Sequence, residues 1–305
     1  MKKFILKCAL FAFLFFLVDK AFVVFRTITA KYDFDRRLEL VLDGEINKDL
    51  LIFGSSRADS NIANWMFKDS LGMETFNLSY RGATVTFQEF VLKQVIKFNK
   101  KPKYIIKVLD NDFELMHEDY EGNPRSFRID RLNPLIKYSE IRDELIRKGE
   151  KDGILSNLFI LHQLNKSNFY NTKPPKLNDT IKTYGAKPGN KHDSEIEWSY
   201  KTARSYEKEL EKKEEIESLL NFQKICVDND IKLIFTTAPV YYSVNDDWLS
   251  RMKELTLTTT QLYIHNDNQK QYIDPLYYHN YSHLNKKGAI IFTNELISYF
   301  KNELD

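Results

Sequence analysis

The sequence predicts an α/β fold built around a parallel β-sheet. Two short, continuous apolar runs, Leu50–Phe53 and Tyr104–Leu109, are typical of central parallel strands that are buried on both faces. Between them, Thr86–Phe98 repeats its apolar residues at helical spacing. Strands that alternate with helices at this pace indicate right-handed β-α-β crossovers.

Five strands and several helices are predicted along the chain. Short strands are expected at Leu50–Phe53, Thr75–Leu78, Tyr104–Leu109, Ile231–Thr237 and Tyr272–Asp274. A helix near Asn61–Ser70 is expected to end at a Gly72 cap. Thr86 and Glu89 have the spacing of a capping box at the start of the next helix. A closing helix is expected at Lys286–Phe300.

The α/β pattern is interrupted at about 118–200. This stretch is rich in Gly, Pro, Asn, Lys and Asp, and only Ile141–Arg147 and Ile154–Leu164 have helical patterns. We therefore interpret 118–200 as a less regular insertion within one domain that covers 31–305.

The N-terminus predicts a membrane anchor at 1–30. An apolar stretch, Phe4–Phe25, follows the basic start of the chain and contains about 22 residues, enough to cross roughly 30 Å of hydrocarbon. A cleaved signal peptide would need small residues after the apolar run, where the chain has Val18, Asp19 and Lys20. We therefore expect an uncleaved, single-pass signal anchor in the bacterial cytoplasmic membrane, with the following domain outside the cytoplasm. The alternative is a buried amphipathic helix of a soluble domain.

Charge and cysteine content narrow the functional classes. The 305 residues include 45 basic and 43 acidic side chains, so the chain lacks the net positive charge that suits nucleic acid binding. Cys8 lies in the apolar N-terminal stretch and Cys226 in a predicted helix, so neither a disulfide nor a cysteine metal site is expected. Aromatic residues make up 14% of the chain, which fits either a carbohydrate-facing surface or an aromatic core.

Polar clusters follow the predicted strands at the points where the strands end. Because the carboxyl ends of parallel strands meet at one edge of a sheet, ligand sites form at that edge. Four clusters are expected to converge there, at 55–56, 81–82, 110–112 and 280–289.

These clusters contain the groups that a serine nucleophile requires. Ser56 is the candidate nucleophile, and His283 is the candidate base that takes its proton. The Gly82 amide and the Asn111 side chain are candidate donors to the oxyanion that forms during acyl transfer.

Structural roles compete with this interpretation. Ser55 and Ser56 would also suit a helix cap, and Asn111 with Asp112 would suit an Asx-turn. Arg57 is a candidate for binding an anionic substrate or for pairing with an acidic neighbour.

Four blocks carry the candidate residues: FGSSR, FNLSYRGAT, LDND and NYSHLNKKGA. In this order and at these strand ends, they resemble the four blocks of the SGNH, or GDSL, hydrolases and acyltransferases. The resemblance assigns Ser56 as the nucleophile and His283 as the base, and it makes Ser56, Gly82 and Asn111 the oxyanion hole. Leu109 stands where the family commonly has glycine.

Asn280 is a second departure from the family's pattern, because the family has an aspartate three residues before the histidine. A carboxylate orients the imidazole and stabilises the imidazolium, whereas a neutral amide only orients it. Three interpretations remain. In the first, the site works as a Ser-His-Asn triad or as a Ser-His dyad. In the second, Asp274 contacts the histidine in place of Asn280. In the third, the site is inactive and is retained for binding.

The resemblance also implies the fold and the activity. It implies a three-layer α/β/α sandwich with a flavodoxin-like parallel sheet. It further implies a serine esterase or O-acyltransferase, with acetyl as the expected acyl group, that modifies envelope polysaccharide through an acyl-serine and needs no cofactor. The implied partners are the membrane, a polysaccharide or glycan and, for transfer, a multi-span acyl-donor membrane protein. The alternative class is an inactive SGNH-fold protein for glycan binding or assembly.

Overall fold

The computed structural model describes residues 1–28, 36–116, 126–164, 183–186, 188–189, 195–200, 202–203, 205–266 and 269–304, without the side chains of 24–28, 112 and 303–304. The chain divides into two units. The helical unit contains Met1–Glu39 and Arg128–Leu177, and the sheet unit contains Leu40–Phe127 and Asn178–Asp305. The region predicted as an insertion at 118–200 therefore contributes to both units.

Five parallel strands form the sheet: β1 (Leu50–Phe53), β2 (Thr75–Asn77), β3 (Tyr104–Leu109), β4 (Lys232–Thr237) and β5 (Gln261–Tyr263). Their order across the sheet is β2-β1-β3-β4-β5, which is the order of flavodoxin-like sheets. At the centre, Ile52 pairs with Ile106, and Ile106 pairs with Ile234. The predicted α/β fold with a parallel sheet is thus confirmed.

The remaining elements are mostly helical. The helices are α1 (Lys2–Ile28), α2 (Arg37–Leu42), α3 (Ser56–Asn61), α4 (Trp65–Leu71), α5 (Val85–Phe98), α6 (Ile129–Leu132), α7 (Ser139–Arg147), α8 (Gly153–Leu158), α9 (Ile160–Gln163), α10 (Lys213–Asp228), α11 (Asp246–Leu255), α12 (Lys270–Ile273) and α13 (Lys286–Leu304). Short 3₁₀ turns lie at Asn111–Phe113, Asn133–Leu135, Lys208–Leu210 and Pro275–Tyr277. An antiparallel hairpin joins β6 (Tyr278–Asn280) to β7 (His283–Leu284).

Helices cover both faces of the sheet, which makes three layers. On one face, Ile52 and Ile106 pack in a buried cluster with Phe67 of α4 and with residues of α3 and α13. On the other face, Phe53 meets Phe222 of α10 edge to face, with ring centroids 5.3 Å apart. Successive strand residues point to opposite faces, so a strand covered on both sides is apolar at nearly every position.

The predicted fifth strand was wrong. The strand lies at Gln261–Tyr263, whereas the predicted Tyr272–Asp274 overlaps α12 and the residue that follows it. Gln261–Tyr263 pairs only with β4 in the described sheet and is half-buried, so it lacks the apolar run of a central strand. The predicted bounds of β2 and β4 each differ from the structure by one residue.

The predicted capping box was also wrong. Thr84 caps α5, because its hydroxyl accepts a hydrogen bond from the amide three residues further on, at 3.4 Å. The Thr86 amide donates instead to Glu215 of α10 at 3.0 Å. Glu89 forms an ion pair one turn further along α5.

Two predicted helices are each divided in the structure. The stretch near Asn61–Ser70 contains the end of α3 and most of α4, and Gly72 ends α4 with φ of 67°, as expected. The stretch Ile154–Leu164 contains most of α8 and all of α9, which Phe159 separates.

The helical unit combines α1 with α6–α9. Phe15 of α1 contacts Phe159 edge to face, with ring centroids 5.9 Å apart. Within the described part of the chain, no helix is both long enough and apolar enough to cross a membrane.

Candidate active site

The turn after β1 presents the candidate nucleophile. Gly54 has φ of 150°, and a Cβ at this position would lie 2.9 Å from the Val108 carbonyl oxygen, so only glycine fits. Ser55 is the N-cap of α3, and its hydroxyl accepts from the Arg57 amide at 3.5 Å. Ser56 is the first residue of α3. The two adjacent serines thus divide the roles, since Ser55 caps the helix and the Ser56 hydroxyl faces another partner.

That partner is His283. Its Nε2 lies 2.8 Å from the Ser56 Oγ, and its Nδ1 lies 2.9 Å from the Asn280 Oδ1. Asn280 Oδ1 also accepts from the Ser282 amide at 3.0 Å, which identifies the oxygen end of this side chain. Nδ1 of His283 therefore carries the proton, and Nε2 is free to accept the Ser56 proton.

The β6–β7 hairpin holds His283 in place through two asparagines. The Leu284 amide donates to Asn61 Oδ1 of α3 at 2.9 Å, which ties the hairpin to the helix that begins at Ser56. Asn285 donates to the Leu276 carbonyl at 2.7 Å and to the Tyr278 carbonyl of β6 at 3.3 Å, and it accepts from the Lys287 amide at 3.0 Å. The asparagine two residues after the histidine therefore links the hairpin to the start of α13.

The surroundings of His283 favour its neutral form. Burial, followed by the positive charges of Arg57 and Arg81, lowers the pKa of His283 to about 4, although Asp110 acts in the opposite direction. At neutral pH the imidazole is consequently uncharged and able to act as a base. The neutral Asn280 amide offers no charge that would offset this effect.

Arg57 and Arg81 are held by different contacts. The Arg57 guanidinium is 5% exposed and donates to the Tyr242 hydroxyl at 2.5 Å. Arg81 is exposed and forms an ion pair with Asp59 at 3.0 Å. Both positive charges act on His283, so the structure places the sequence-predicted Arg57 close to the candidate base.

The turn after β3 carries Asn111 in a strained conformation. Asn111 has φ of 50°, and its side chain is 1% exposed. Neither polar atom of its amide has a hydrogen-bond partner within the described residues. A buried amide without partners is costly, so this arrangement is typical of a group that serves a ligand. The Asp112 side chain lies outside the described set.

Hydrogen bonds bring the turns after β1, β2 and β3 together. The Ser55 hydroxyl donates to Asp110 Oδ1 at 2.5 Å, which joins the nucleophile turn to the Asn111 turn. The Tyr80 amide donates to the Gly54 carbonyl at 3.1 Å, two residues before Gly82. Gly82 itself has φ of 69°. The three candidate oxyanion residues therefore come from turns that are directly connected.

A buried ion pair lies beneath these turns. Lys107 and Glu114 are fully buried and 2.5 Å apart. The other carboxylate oxygen of Glu114 accepts from the Asp110 amide at 2.6 Å, and Lys107 also donates to Gln88 at 2.7 Å. This pair was not predicted from the sequence, although a lysine inside the apolar run of β3 was a visible signal.

Asp274 has a different role from the one considered for it. Its Oδ1 accepts from the Leu276 amide at 2.9 Å and caps the Pro275–Tyr277 turn. The structure places Asn280, and not Asp274, against His283.

The chain was compared with protein-family models, with curated proteins and with solved structures, and none matches.

Proposed function

We propose that the protein is an SGNH-type serine esterase or O-acyltransferase, with acetyl as the favoured acyl group, that acts on cell-envelope polysaccharide. One observation carries the proposal: Ser56 Oγ lies 2.8 Å from His283 Nε2, and His283 Nδ1 lies 2.9 Å from Asn280 Oδ1. A hydroxyl against an unprotonated imidazole nitrogen, with the other nitrogen held by an acceptor, is the arrangement that acyl transfer through serine requires.

Acylation begins with attack by Ser56. As the Ser56 oxygen bonds to the acyl carbonyl carbon, its proton passes to His283 Nε2. The carbonyl oxygen becomes an oxyanion, which the Asn111 side chain and the amides of Ser56 and Gly82 stabilise. The bond to the leaving alcohol then breaks, and His283 returns the proton to the alcohol oxygen. The acyl group remains on Ser56.

Deacylation repeats the same steps with a new nucleophile. Water or a sugar hydroxyl attacks the acyl-Ser56 carbonyl and gives its proton to His283 Nε2. When the second oxyanion collapses, the Ser56 oxygen leaves and recovers the proton. Water as the acceptor yields an esterase, and a sugar hydroxyl yields a transferase fed by an acyl-donor membrane protein.

With Asn280 in place of an aspartate, we expect the reaction to be slow. Its oxygen fixes the tautomer of His283, but it does not stabilise the imidazolium that forms in each step. The charges of Arg57 and Arg81 disfavour that imidazolium further. A substrate with an anionic group near Arg57 would offset their charges, so we propose an acidic polysaccharide as the preferred substrate.

The proposed location is the bacterial cytoplasmic membrane, with α1 as a single-pass anchor and the sheet unit outside the cytoplasm. The described side chains of α1 end at residue 23 and do not by themselves make a membrane span. The proposed anchor is therefore the whole apolar stretch Phe4–Phe25 of the sequence. Large apolar side chains of α1 are exposed at consecutive positions from Phe13 to Val18, between 43% for Phe16 and 57% for Phe13. Consecutive positions cover every side of a helix, and a helix that is apolar all round belongs in a lipid or protein environment. The basic residues Lys2 and Lys3 support an orientation with the N-terminus on the cytoplasmic side.

A second candidate function is glycan binding without turnover. The neutral residue at Asn280 favours it, since loss of the carboxylate is one way in which such a site becomes inactive. This alternative and the enzyme differ in whether Ser56 is reactive.

A covalent serine probe separates the two functions. The full-length protein in detergent is treated with a fluorophosphonate, and the modified peptide is identified by mass spectrometry. Labelling of Ser56 with accompanying loss of aryl acetate hydrolysis is expected. Ser56→Ala removes both signals, whereas Ser298→Ala, at an exposed serine on α13, changes neither. Absence of labelling and of turnover in the wild type would leave glycan binding as the function.

Membrane fractionation tests the anchor. A C-terminally tagged protein is expected in the membrane pellet at its full mass and to resist extraction with alkaline carbonate. A soluble product that starts after residue 25 would rule out an uncleaved anchor.

A further inference from the structure

The segment Gly153–Gln163, which forms α8 and α9, has an inverted distribution of apolar and polar side chains. Ile154 is 72% exposed and Leu158 is 51% exposed, whereas Ser156 is fully buried and Gln163 is 3% exposed. A short helix in water normally buries its apolar side chains and exposes its polar ones. The apolar face of α8 therefore suits contact with an apolar medium.

Ser156, His162 and Gln163 bond within this segment, whereas Asn157 of α8 is exposed. Ser156 Oγ lies 3.0 Å from His162 Nδ1, and Gln163 donates to the Ser156 carbonyl at 2.5 Å. Lys151 donates to the His162 carbonyl at 3.1 Å, near the end of α9. In hydrocarbon every polar group needs a partner within the protein, and these groups have one.

The break between α8 and α9 is closed by two charged residues of α1. Asp19 accepts from the amides of Ile160 and Leu161, at 2.9 and 2.8 Å, at the start of α9. Lys20 donates to the Leu158 carbonyl at 2.5 Å, at the end of α8. Asp19 itself is fully buried. The only acidic residue of α1 thus satisfies backbone groups that the helix break would otherwise leave unbonded.

The position of Asp19 along α1 sets the depth of this junction. From Phe4 to Asp19 the helix rises about 22 Å, at 1.5 Å per residue, whereas the hydrocarbon core is about 30 Å thick. If the apolar stretch starts at the cytoplasmic boundary, Asp19 lies about 8 Å inside the opposite boundary. A charged residue at that depth is costly unless the protein surrounds it.

We infer that α8 and α9 insert into the outer leaflet beside α1, with Ile154, Leu155 and Leu158 in contact with lipid. The inference rests on the proposed anchor. Lipid is the fitting partner because large apolar side chains are exposed on α1 as well as on α8, and on α1 they occupy consecutive positions from Phe13 to Val18. A second protein chain would cover one face of α1 and leave the others exposed.

Collision accessibility of nitroxide labels tests the inference. Single-cysteine variants are made in full-length protein that lacks Cys8 and Cys226, and they are reconstituted in vesicles of phosphatidylcholine and phosphatidylglycerol. Labels at Ile154→Cys and Leu158→Cys are expected to collide with oxygen more than with a water-soluble nickel chelate, and the same is expected of a label at Phe11→Cys in α1. The matched control, Asp143→Cys on an exposed position of α7, should favour the nickel chelate.

Three other outcomes would overturn the inference in distinguishable ways. A nickel preference at 154 and 158, with an oxygen preference at 11, would retain the anchor and place α8 in water. A nickel preference at all three positions would remove the anchor as well. Protection from both reagents at 154 and 158, with spin–spin broadening, would show that a second copy covers this face.

Discussion

Asn280 Oδ1 lies 2.9 Å from Nδ1 of His283, on the opposite side of the imidazole from Ser56. The contact is made within one hairpin, since Asn280 of β6 pairs with His283 of β7. It fixes the ring and its tautomer without supplying charge. The site therefore separates two functions that an aspartate combines, orientation of the base and stabilisation of the imidazolium.

Restoring the carboxylate should increase activity. Asn280→Asp is expected to raise kcat for aryl acetate hydrolysis, because the introduced carboxylate would stabilise the imidazolium; the gain is bounded by the ~10⁴-fold loss seen when a triad aspartate becomes asparagine. Asn280→Ala should lower kcat, since it removes the acceptor for Nδ1. Asp274→Asn is the matched control and should have little effect, because Asp274 only caps a turn. A larger loss from Asp274→Asn than from Asn280→Ala, in folded protein, would contradict this assignment.

The pH dependence of activity should reflect the low pKa of His283. Protonation of Nε2 prevents it from accepting the Ser56 proton, so kcat/KM should fall only as the pH drops through about 4. A histidine with an ordinary pKa of about 6.5 would lose activity at a higher pH. The pH profile of kcat/KM for a neutral ester measures this directly.

Two arginine variants test the cause of the low pKa. Arg57→Gln removes the positive charge that is second only to burial in lowering the pKa of His283, so the acidic limb should move to higher pH. Arg81→Gln should move it in the same direction by less, and added salt should weaken that effect, because Arg81 is exposed. An unchanged acidic limb in Arg57→Gln would show that the arginine charge does not reach the imidazole.

Asn111 should affect activity and stability in opposite directions. Asn111→Gly removes an oxyanion donor, which is expected to lower kcat by about 10²–10³-fold. It also removes a buried amide that has no partner in the described chain and relaxes a φ of 50°, so the free energy of unfolding should be unchanged or higher. Denaturant unfolding and kcat are measured on the same preparations.

Asp230 provides the matched control for the backbone effect. It has φ of 56° and lies outside the site, in the turn that precedes β4, so Asp230→Gly should change stability slightly and leave kcat unaltered. If Asn111→Gly retained the wild-type kcat, Asn111 would be a structural turn residue, as the alternative Asx-turn interpretation holds.

Much of the fold followed from local patterns. β1 and β3 have the predicted bounds because a strand buried on both faces is apolar at nearly every position. The edge strand β5 has three half-buried residues, so no local pattern distinguished it. The capping box failed because Glu215, 129 residues away from Thr86, satisfies the helix amide that a local cap would have bonded.

The residues of the site could be predicted from the sequence, but which side chains contact each other could not. Ser56 and His283 carry recognisable neighbours, but the sequence left Asn280 and Asp274 as open candidates for the imidazole. The choice depends on the register of a two-strand hairpin, in which Asn280 stands directly beside His283. The Lys107–Glu114 pair is likewise a product of tertiary packing, since neither residue is buried by its own element alone.

The buried Lys107–Glu114 pair supports the Asn111 turn, because Glu114 accepts a hydrogen bond from the Asp110 amide. Lys107→Met leaves the Glu114 carboxylate buried without its counter-charge, and the free energy of unfolding should fall by about 3–5 kcal/mol. Replacing both charges often has little effect on stability, so two double variants should each recover most of the lost free energy of unfolding.

In Lys107→Met/Glu114→Gln, residue 114 still offers an oxygen to the Asp110 amide, and kcat should stay close to the wild-type value. In Lys107→Met/Glu114→Leu, that oxygen is lost, so the turn that carries Asn111 should shift and kcat should fall towards the value for Asn111→Gly. Urea unfolding and aryl acetate hydrolysis separate the two quantities. If the leucine double variant kept full activity, Glu114 would serve stability alone and the turn would be held by its other contacts.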